Sequence, residues 1–314
     1  MIGNYRDALG LAFERMGEEF PNLVLVTADV AQSTRAAKFG EKYPERLFSV
    51  GVAEQNAVGI SAGISTFDIP VIYTAYAIFA TGKSFEQIRH MVVYPSLNVK
   101  IVATHGGINV GKDGVTHQAT EDIAIMRAIP GMKVVAVADP GEVTVALRAV
   151  IKTSGPVYLR LPRENSEVIH EDTDNVWFEM GRAEILKEGQ DVSLLAIGMM
   201  VWESLKAADL LDKEGISARV VNVRTVKPID EEMIKRAASD TGAIVTAEDH
   251  NRHGGLGGAV AEVLVRFNPV PMEQVALDDV FAESGRCHAL FEKYKLTAPE
   301  IYRKAKVAVK RKAR

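Results

Sequence analysis

The sequence predicts an α/β fold in two successive units, each built around a mostly parallel sheet. Short runs rich in β-branched residues alternate with stretches whose apolar residues recur at helical spacing, which is typical of β-α-β units. This alternation is interrupted once, by a polar and acidic stretch within residues 162–181, and then resumes. The chain has 314 residues, of which 47% are hydrophobic and 25% charged, enough for one or two ordinary hydrophobic cores.

The first unit is predicted to contain six strands. It opens with a helix over Tyr5–Glu19, whose apolar face is predicted to carry Ala8, Leu11, Ala12 and Met16. The predicted strands cover residues 23–27, 47–51, 71–75, 99–104, 133–138 and 157–161. Helices are predicted over residues 54–66, 83–92 and 142–153, and a further helix, with Thr120 as its N-cap, ends at Arg127.

The second unit is predicted to be a smaller α/β domain. Its predicted strands cover residues 192–198, 218–223, 243–247 and 274–277, and its predicted helices cover 202–214, 231–238 and 258–266. We expect a first domain over residues 1–165, a linker over 166–182 and a second domain over 183–314. The basic segment Lys304–Arg314 is helix-prone, and we expect it to be solvated.

Composition and charge disfavour several classes of protein. The formal net charge of -4 argues against a nucleic acid or an anionic membrane as partner, because both attract strongly basic surfaces. Cys287 is the only cysteine, so an intramolecular disulfide is impossible and a reducing, cytoplasmic location is expected. The longest apolar stretch, Val192–Trp202, is too short to span a membrane. The sequence also lacks the spacings of a P-loop and of CxxC or HExxH metal sites.

A carboxylate at a predicted strand–helix junction is the first candidate functional group. In the segment Phe48–Asn56, which reads FSVGVAEQN, Glu54 opens a helix directly after a strand and a glycine. On spacing alone, the better explanation is that Glu54 satisfies free amides at the start of its helix. A catalytic carboxylate is the alternative interpretation.

A long polar loop after the strand at residues 99–104 is the second candidate. It reads THGGINVGKDGVTHQ over residues 104–118 and brings His105, Asp113 and His117 together with four glycines. Ligands bind outside the carboxyl ends of the strands in doubly wound sheets, which is where this loop is predicted to lie. Arg163, in the segment PREN after the last strand of the first unit, could hold a phosphate bidentately or form a surface salt bridge.

Together these segments resemble the C-terminal half of transketolase. VGVAEQN resembles the family's junction whose glutamate contacts the aminopyrimidine ring of thiamine diphosphate, and residues 113–118 match its D-G-x-T-H-Q signature. VNVRTVKPID and EDHNRHGGLGGAV resemble segments of its C-terminal domain. The resemblance covers essentially the whole chain in order. It implies a six-stranded pyrimidine-binding domain followed by a smaller transketolase C-terminal domain.

The resemblance also implies a role for each candidate residue. Glu54 would activate thiamine diphosphate at N1′ of its aminopyrimidine, and Tyr76 and Phe79 match the first two aromatic positions of the pyrimidine pocket. At the third position the chain departs from the family, because Gly82 or Lys83 stands where many relatives have a tyrosine. The positions that read substrate hydroxyls and transfer protons are matched by His105, Asp113 and His117, and the phosphate contacts by Arg163, Arg6 and Ser33.

The sequence lacks the Gly-Asp-Gly segment with which transketolases hold the diphosphate. The resemblance therefore implies the smaller subunit of a split transketolase, active only with a partner subunit that carries the diphosphate-binding domain and holds Mg²⁺ or Ca²⁺. The implied assembly is a heterotetramer, alpha2beta2, in which this chain also associates with a second copy of itself. The implied reaction is the reversible transfer of a two-carbon ketol unit between sugar phosphates, as in the pentose phosphate pathway.

Three other interpretations remain open at this point. A 1-deoxy-D-xylulose-5-phosphate synthase shares the loop signature and an A-E-Q junction, but is usually one longer chain. The β-subunit of a 2-oxoacid dehydrogenase has a glutamate at this junction but lacks the D-G-x-T-H-Q loop. A non-catalytic paralogue with a binding or regulatory role is the third, and the presence of all the candidate residues argues against it.

Overall fold

The computed structural model describes residues 1–173 and 176–312 and consists of two α/β domains. Residues 174–175 of the predicted linker and residues 313–314 of the predicted basic tail lie outside the described residues. The bounds predicted for the two domains and the linker stay a prediction. Within the described ranges, no helix is long and apolar enough to cross a membrane.

The first domain carries eight strands and six α-helices. The strands are β1 (Ile2–Asn4), β2 (Val24–Thr27), β3 (Leu47–Ser49), β4 (Val71–Tyr76), β5 (Val99–Thr104), β6 (Lys133–Ala136), β7 (Val157–Arg160) and β8 (Asn165–Glu167). The helices are α1 (Tyr5–Glu19), α2 (Ala36–Lys42), α3 (Glu54–Ser65), α4 (Phe85–Gln87), α5 (Asp122–Ala128) and α6 (Val143–Lys152). Two π-helical turns, Phe79–Lys83 and Ile88–Val93, flank α4.

The remaining elements belong to the second part of the chain. The strands are β9 (Glu184–Lys187), β10 (Val192–Ala196), β11 (Ala218–Asn222), β12 (Thr225–Lys227), β13 (Ile244–Asn251) and β14 (Met272–Leu277). The helices are α7 (Met200–Asp212), α8 (Glu231–Thr241), α9 (Leu256–Phe267), α10 (Cys287–Lys293) and α11 (Ala298–Lys312).

All six strands predicted for the first unit are present, as β2 to β7, and they pair in parallel in the order β6-β7-β5-β4-β2-β3. The sheet itself has seven strands, because β12 of the second domain adds antiparallel to the outer edge of β6. A three-residue strand is too short to show a periodic pattern, so the sequence did not indicate it. By pairing there, β12 covers a sheet edge that would otherwise be open.

Both faces of the first sheet are covered, which is why its strands read as continuous apolar runs. One face packs against α1, α2 and α6, and the other against α3 and α5 in a core that continues into the second domain. The prediction for α1 was wrong at Leu11, whose side chain is 53% exposed. The buried face of α1 instead runs through Tyr5, Leu9, Ala12, Phe13 and Met16.

The second domain holds a five-stranded sheet in the order β14-β13-β10-β11-β9, parallel except for β9. The prediction of a solvated C-terminal tail was wrong for residues 304–312, because these residues belong to α11. Helix α11 buries Ile301, Ala305 and Ala308 in the core of this domain, and only its other face carries the basic residues. The apolar residues recur at helical spacing, so they pack α11 against the core in spite of the positive charge of the segment.

Two further local predictions were wrong. Helix α5 begins at Asp122 with Glu121 in the N-cap position, and the hydroxyl of Thr120 donates to the Glu121 carboxylate instead of capping the helix. The helix predicted over residues 83–92 is broken by the two π-helical turns around α4.

Buried ion pairs join the two domains. Arg160, at the end of β7, places Nε 2.8 Å from Oδ2 of Asp122 and Nη1 2.8 Å from Oδ1 of Asp249, which lies on β13. All three side chains are at most 1% exposed. A second cationic centre, Arg224, pairs with Glu142 of the first domain and Glu184 of the second. The domain junction therefore contains buried ion pairs beside the apolar core that the two domains share.

Candidate active site

The candidate residues lie at the carboxyl edge of the first sheet. Parallel strands end at the same edge, so loops that are distant in sequence meet there. Four neighbouring strands contribute a candidate: Ser33 follows β2, Tyr76 ends β4, His105 follows β5, and Arg163 follows β7.

Glu54 is the first residue of α3 and follows β3 by way of Gly51, whose φ of +75° suits glycine. Its side chain is only 6% exposed. The Oε2 atom of Glu54 lies 2.5 Å from Nζ of Lys83, at the end of a π-helical turn from a different part of the chain. The carboxylate is thus engaged in a long-range ion pair. Capping of its own helix does not account for its position.

Two aromatic rings and two histidines form the wall of the site. The rings of Tyr76 and Phe79 are stacked with their centroids 6.0 Å apart. The ring of His105 lies 3.9 Å from that of Tyr76, and the ring of His117 lies 5.2 Å from that of Phe79, edge to face. The Tyr76 hydroxyl donates to Oγ of Ser33 over 2.8 Å. Five of the predicted site residues therefore converge.

His105 is held in a fixed, neutral state. Its backbone is left-handed, with φ of +67°, and its Nδ1 lies 2.7 Å from the Thr104 hydroxyl. Burial lowers the pKa of His105 to about 3, and the positive charges of Arg163, Arg6 and His117 act in the same direction. At neutral pH the imidazole is therefore uncharged and can exchange hydrogen bonds with a polar ligand.

We expect His105→Asn to reduce the loss of stability in acid. The pKa of His105 is lowered on folding, so the unfolded chain takes up the extra proton and stability falls as the pH drops from about 6.5 towards 3. Asparagine tolerates a left-handed backbone and does not titrate. Between pH 7 and 4 the variant should lose less unfolding free energy than the wild type, by an amount on the order of 2–3 kcal/mol.

Urea unfolding at several pH values measures this difference. His253→Asn, at an exposed histidine of the second domain, is the matched control and should follow the wild type. An equal acid sensitivity of His105→Asn and the wild type would contradict the prediction.

Three guanidinium groups gather beside the histidines. Nη1 of Arg163 donates to the Val110 carbonyl over 2.5 Å and lies 3.5 Å from Oδ2 of Asp113, and Nε of Arg6 donates to the Arg163 carbonyl. Burial lowers the pKa of Arg6, and the like charges of Arg35 and Arg163 lower it further. A bound anion would relieve this repulsion. Arg35 was not predicted as a site residue, because its only signal in the sequence is its place two residues after Ser33.

The loop at residues 106–118 is held by the segment 283–287 of the second domain. The contacts run along the loop: Gln118 Nε2 donates to the Glu283 carbonyl, the Gly285 N–H to the Gly111 carbonyl, and the Cys287 thiol to the Asn109 carbonyl. Gly107, with φ of +71°, lies so close to Asp249 that a Cβ there would sit 2.0 Å from its carboxylate. The second domain thus holds the loop that leads from His105 to His117.

A cavity of about 1200 Å³ lies between this loop and the second domain. Asp113 and Arg163 line it on the loop side, and Met199, Cys287 and Phe291 line it on the other. Burial raises the pKa of Cys287 to about 11, so the thiol stays protonated at neutral pH. The structure therefore places Asp113 beside Arg163, next to the cavity, whereas His105 and His117 lie against the aromatic pair.

Chemically, the site can hold a flat heteroaromatic ring against Tyr76 and Phe79 and an anion at the guanidinium cluster. Glu54 is a buried carboxylate that can exchange a proton with a ring nitrogen. Lys83 is in direct contact with that carboxylate. In the sequence, Lys83 stood out only as one of two residues found where many relatives have a tyrosine.

Comparison with known proteins identifies the family. Residues 3–168 match the model of the transketolase pyrimidine binding domain, and residues 181–301 match that of the transketolase C-terminal domain. A Methanocaldococcus jannaschii protein provisionally named a transketolase C-terminal section is 44% identical over 94% of this chain and 93% of its own length. A 6-deoxy-6-sulfo-D-fructose transketolase subunit of Clostridium sp. is 41% identical over 92% of this chain and 89% of its own.

A longer relative and a solved structure complete the comparison. The 1-deoxy-D-xylulose-5-phosphate synthase of Desulforudis audaxviator is 36% identical over 99% of this chain, which spans 49% of its length. A split gene transketolase, solved as an inactive beta4 tetramer, superimposes with a TM-score of 0.90 at 42% identity and covers 98% of this chain and 99% of its own. From these matches and the two-domain fold, we conclude that the chain belongs to the transketolase family.

Proposed function

We propose that the chain is the pyrimidine-binding subunit of a thiamine-diphosphate-dependent transketolase, which transfers a two-carbon ketol unit reversibly between sugar phosphates. The observation that carries the proposal is the buried Glu54 carboxylate at the same sheet edge as the aromatic pair Tyr76 and Phe79 and the histidine loop.

The residues present fit the aminopyrimidine of thiamine diphosphate. A flat ring with a basic nitrogen needs an aromatic surface and a carboxylate at hydrogen-bond distance, and Tyr76, Phe79 and Glu54 provide both kinds of group. When bound, the cofactor supplies the thiazolium carbon that carries the two-carbon unit. The diphosphate and its Mg²⁺ or Ca²⁺ are assigned to the partner subunit.

Glu54 holds and moves a proton at N1′ of the pyrimidine. A carboxylate shielded from water interacts strongly with a proton on the ring, which suits it to acid–base work. Tyr76 and Phe79 hold the ring in place and keep water from this contact.

The histidine loop and the guanidinium cluster bind the sugar phosphate. His105, which is neutral, and His117 exchange hydrogen bonds and protons with the substrate oxygens, and Asp113 binds a hydroxyl. Arg163, Arg6 and Ser33 hold the phosphate, the two guanidinium groups through charge-assisted hydrogen bonds and Ser33 through its hydroxyl.

We also assign a partner subunit with the diphosphate-binding domain, in a cytoplasmic alpha2beta2 heterotetramer that contains a dimer of this chain. Two relatives support this assignment. The split gene transketolase whose structure covers nearly the whole chain was solved as an inactive beta4 tetramer, and the Clostridium relative is a transketolase subunit.

A 1-deoxy-D-xylulose-5-phosphate synthase activity is the second candidate, because a synthase of that name matches 99% of this chain at 36% identity. The β-subunit of a 2-oxoacid dehydrogenase and a non-catalytic paralogue are less favoured. The D-G-x-T-H-Q loop brings His117 against Phe79, and both histidines converge with the aromatic pair. The buried Glu54 carboxylate pairs with Lys83, at the end of the turn that begins with Phe79.

Co-expression with a candidate diphosphate-domain chain tests the proposal. With xylulose 5-phosphate and ribose 5-phosphate, we expect thiamine-dependent ketol transfer by the pair and none by either chain alone. Transfer by the isolated chain at the full rate would contradict the split-subunit assignment. Turnover of pyruvate in place of ketol transfer would favour the synthase or the dehydrogenase.

A further inference from the structure

The Lys83–Glu54 ion pair joins a partly exposed cation to a buried carboxylate. Nζ of Lys83 lies 2.5 Å from Oε2 of Glu54, and the two side chains are 46% and 6% exposed. The two residues are 29 positions apart in the chain. The contact depends on the tertiary structure.

The backbone that presents Lys83 is unusual. Lys83 ends the π-helical turn Phe79–Lys83, which follows directly from the segment that carries Tyr76. Single π-helical turns widen the spacing of side chains and are found often at functional sites. This turn begins with the aromatic Phe79 and ends with the cationic Lys83. One short segment therefore carries both the ring that would hold the pyrimidine and the group that holds Glu54.

Because the Glu54 carboxylate is buried, its ion pair with the Lys83 ammonium matters for its position and energy. Burying a carboxylate is costly unless a charged or hydrogen-bonding partner compensates it. Tyr73 also interacts with Glu54, but it cannot take the place of Lys83. Its pKa is raised above the ordinary value by burial and, further, by the Glu54 carboxylate, so its hydroxyl stays neutral.

We propose that Lys83 is a positioning residue for the proton transfer assigned to Glu54, an inference that rests on the proposed function. Its ammonium fixes one carboxylate oxygen, Oε2, and so orients the carboxylate, which leaves the second oxygen free for the contact with N1′. A carboxylate has two acceptor oxygens, so one can be held by the lysine while the other serves the ring.

Lys83→Met in the assembled enzyme is the main test. The variant keeps the aliphatic stem and loses the charge. We expect kcat and the rate of C2 proton exchange of bound thiamine diphosphate to fall about tenfold to a hundredfold. The KM for the sugar phosphates and the dissociation constant of thiamine diphosphate should change by less than about threefold. Lys83→Arg should restore most of both rates, and the exposed Lys213→Met is the matched control.

A second readout does not depend on activity. Infrared spectra of the cofactor-free chain report the carboxylate stretching bands, which shift when an ion-pair partner is removed. The band of Glu54, identified by its loss in Glu54→Gln, should shift in Lys83→Met and stay close to its wild-type position in Lys213→Met.

The outcomes separate this inference from the function on which it rests. If the wild-type pair is active and Lys83→Met retains its kcat and its exchange rate, the role of Lys83 is refuted and the proposed function stands. A rise in KM alone, or an equal loss in Lys83→Arg, would likewise refute it. If the wild-type pair catalyses no thiamine-dependent exchange, the proposed function fails, and the inference about Lys83 fails with it.

Discussion

Glu54→Gln is expected to slow C2 proton exchange of thiamine diphosphate in the assembled enzyme by about 10²–10⁴-fold. The amide keeps the size of the side chain but can neither give nor take the proton at N1′, and it gives up the ion pair with Lys83. Ketol transfer should fall with the exchange rate, because loss of the C2 proton precedes every later step.

Exchange into deuterated water, stopped by acid and followed by proton NMR of the released cofactor, measures the rate directly. Glu231→Gln is a matched control, because Glu231 is also the first residue of a helix and also pairs with a cation, Arg266, but lies on the second domain. An unchanged exchange rate in Glu54→Gln would show that another group activates the cofactor.

Arg160→Met is expected to lower the free energy of unfolding by about 3–5 kcal/mol. The substitution leaves the carboxylates of Asp122 and Asp249 buried without their cation, in a region where all three side chains are at most 1% exposed. Burial already raises the pKa of Asp249, and Arg160 opposes that rise. The loss therefore comes from uncompensated buried charge, and the two domains should separate more easily.

Chemical denaturation of the purified chain, followed by circular dichroism, measures the change. Arg303→Met, which breaks an exposed pair with Glu300, is the control and should cost less than about 1 kcal/mol. Adding Asp122→Asn and Asp249→Asn to Arg160→Met should recover part of the loss. A stability of Arg160→Met within about 1 kcal/mol of the wild type would be incompatible with this account.

Elements with a strong local pattern could be predicted from the sequence. Helix α1 begins and ends where its apolar spacing and polar flanks indicate, and the strands β2 to β7 follow runs of β-branched residues. The predictions failed where the pattern is weak or misleading. Leu11 lies just off the buried stripe, residues 83–92 leave α-helical spacing for π-helical turns, and the basic tail hides an apolar stripe.

Some residues of the candidate site could likewise be predicted from a local motif, and others could not. The loop at residues 104–118 contains both histidines and the aspartate within one short segment, so a linear motif is enough to identify them. The convergence of Ser33, Tyr76 and His105 follows only from the order of the strands in the sheet.

The α/β class, six of the seven strands of the first sheet and the residues of the linear motifs follow from the sequence alone. Each of these depends on side chains a few positions apart, within the repeat of a helix or strand. Only the tertiary structure decided that Lys83 meets Glu54, that Arg160 meets Asp249 and that the segment 283–287 holds the loop. These contacts join residues that are 29 to 165 positions apart, and their energies depend on burial. No local pattern encodes burial of that kind, because it arises only when segments that are distant in sequence pack together in the folded chain.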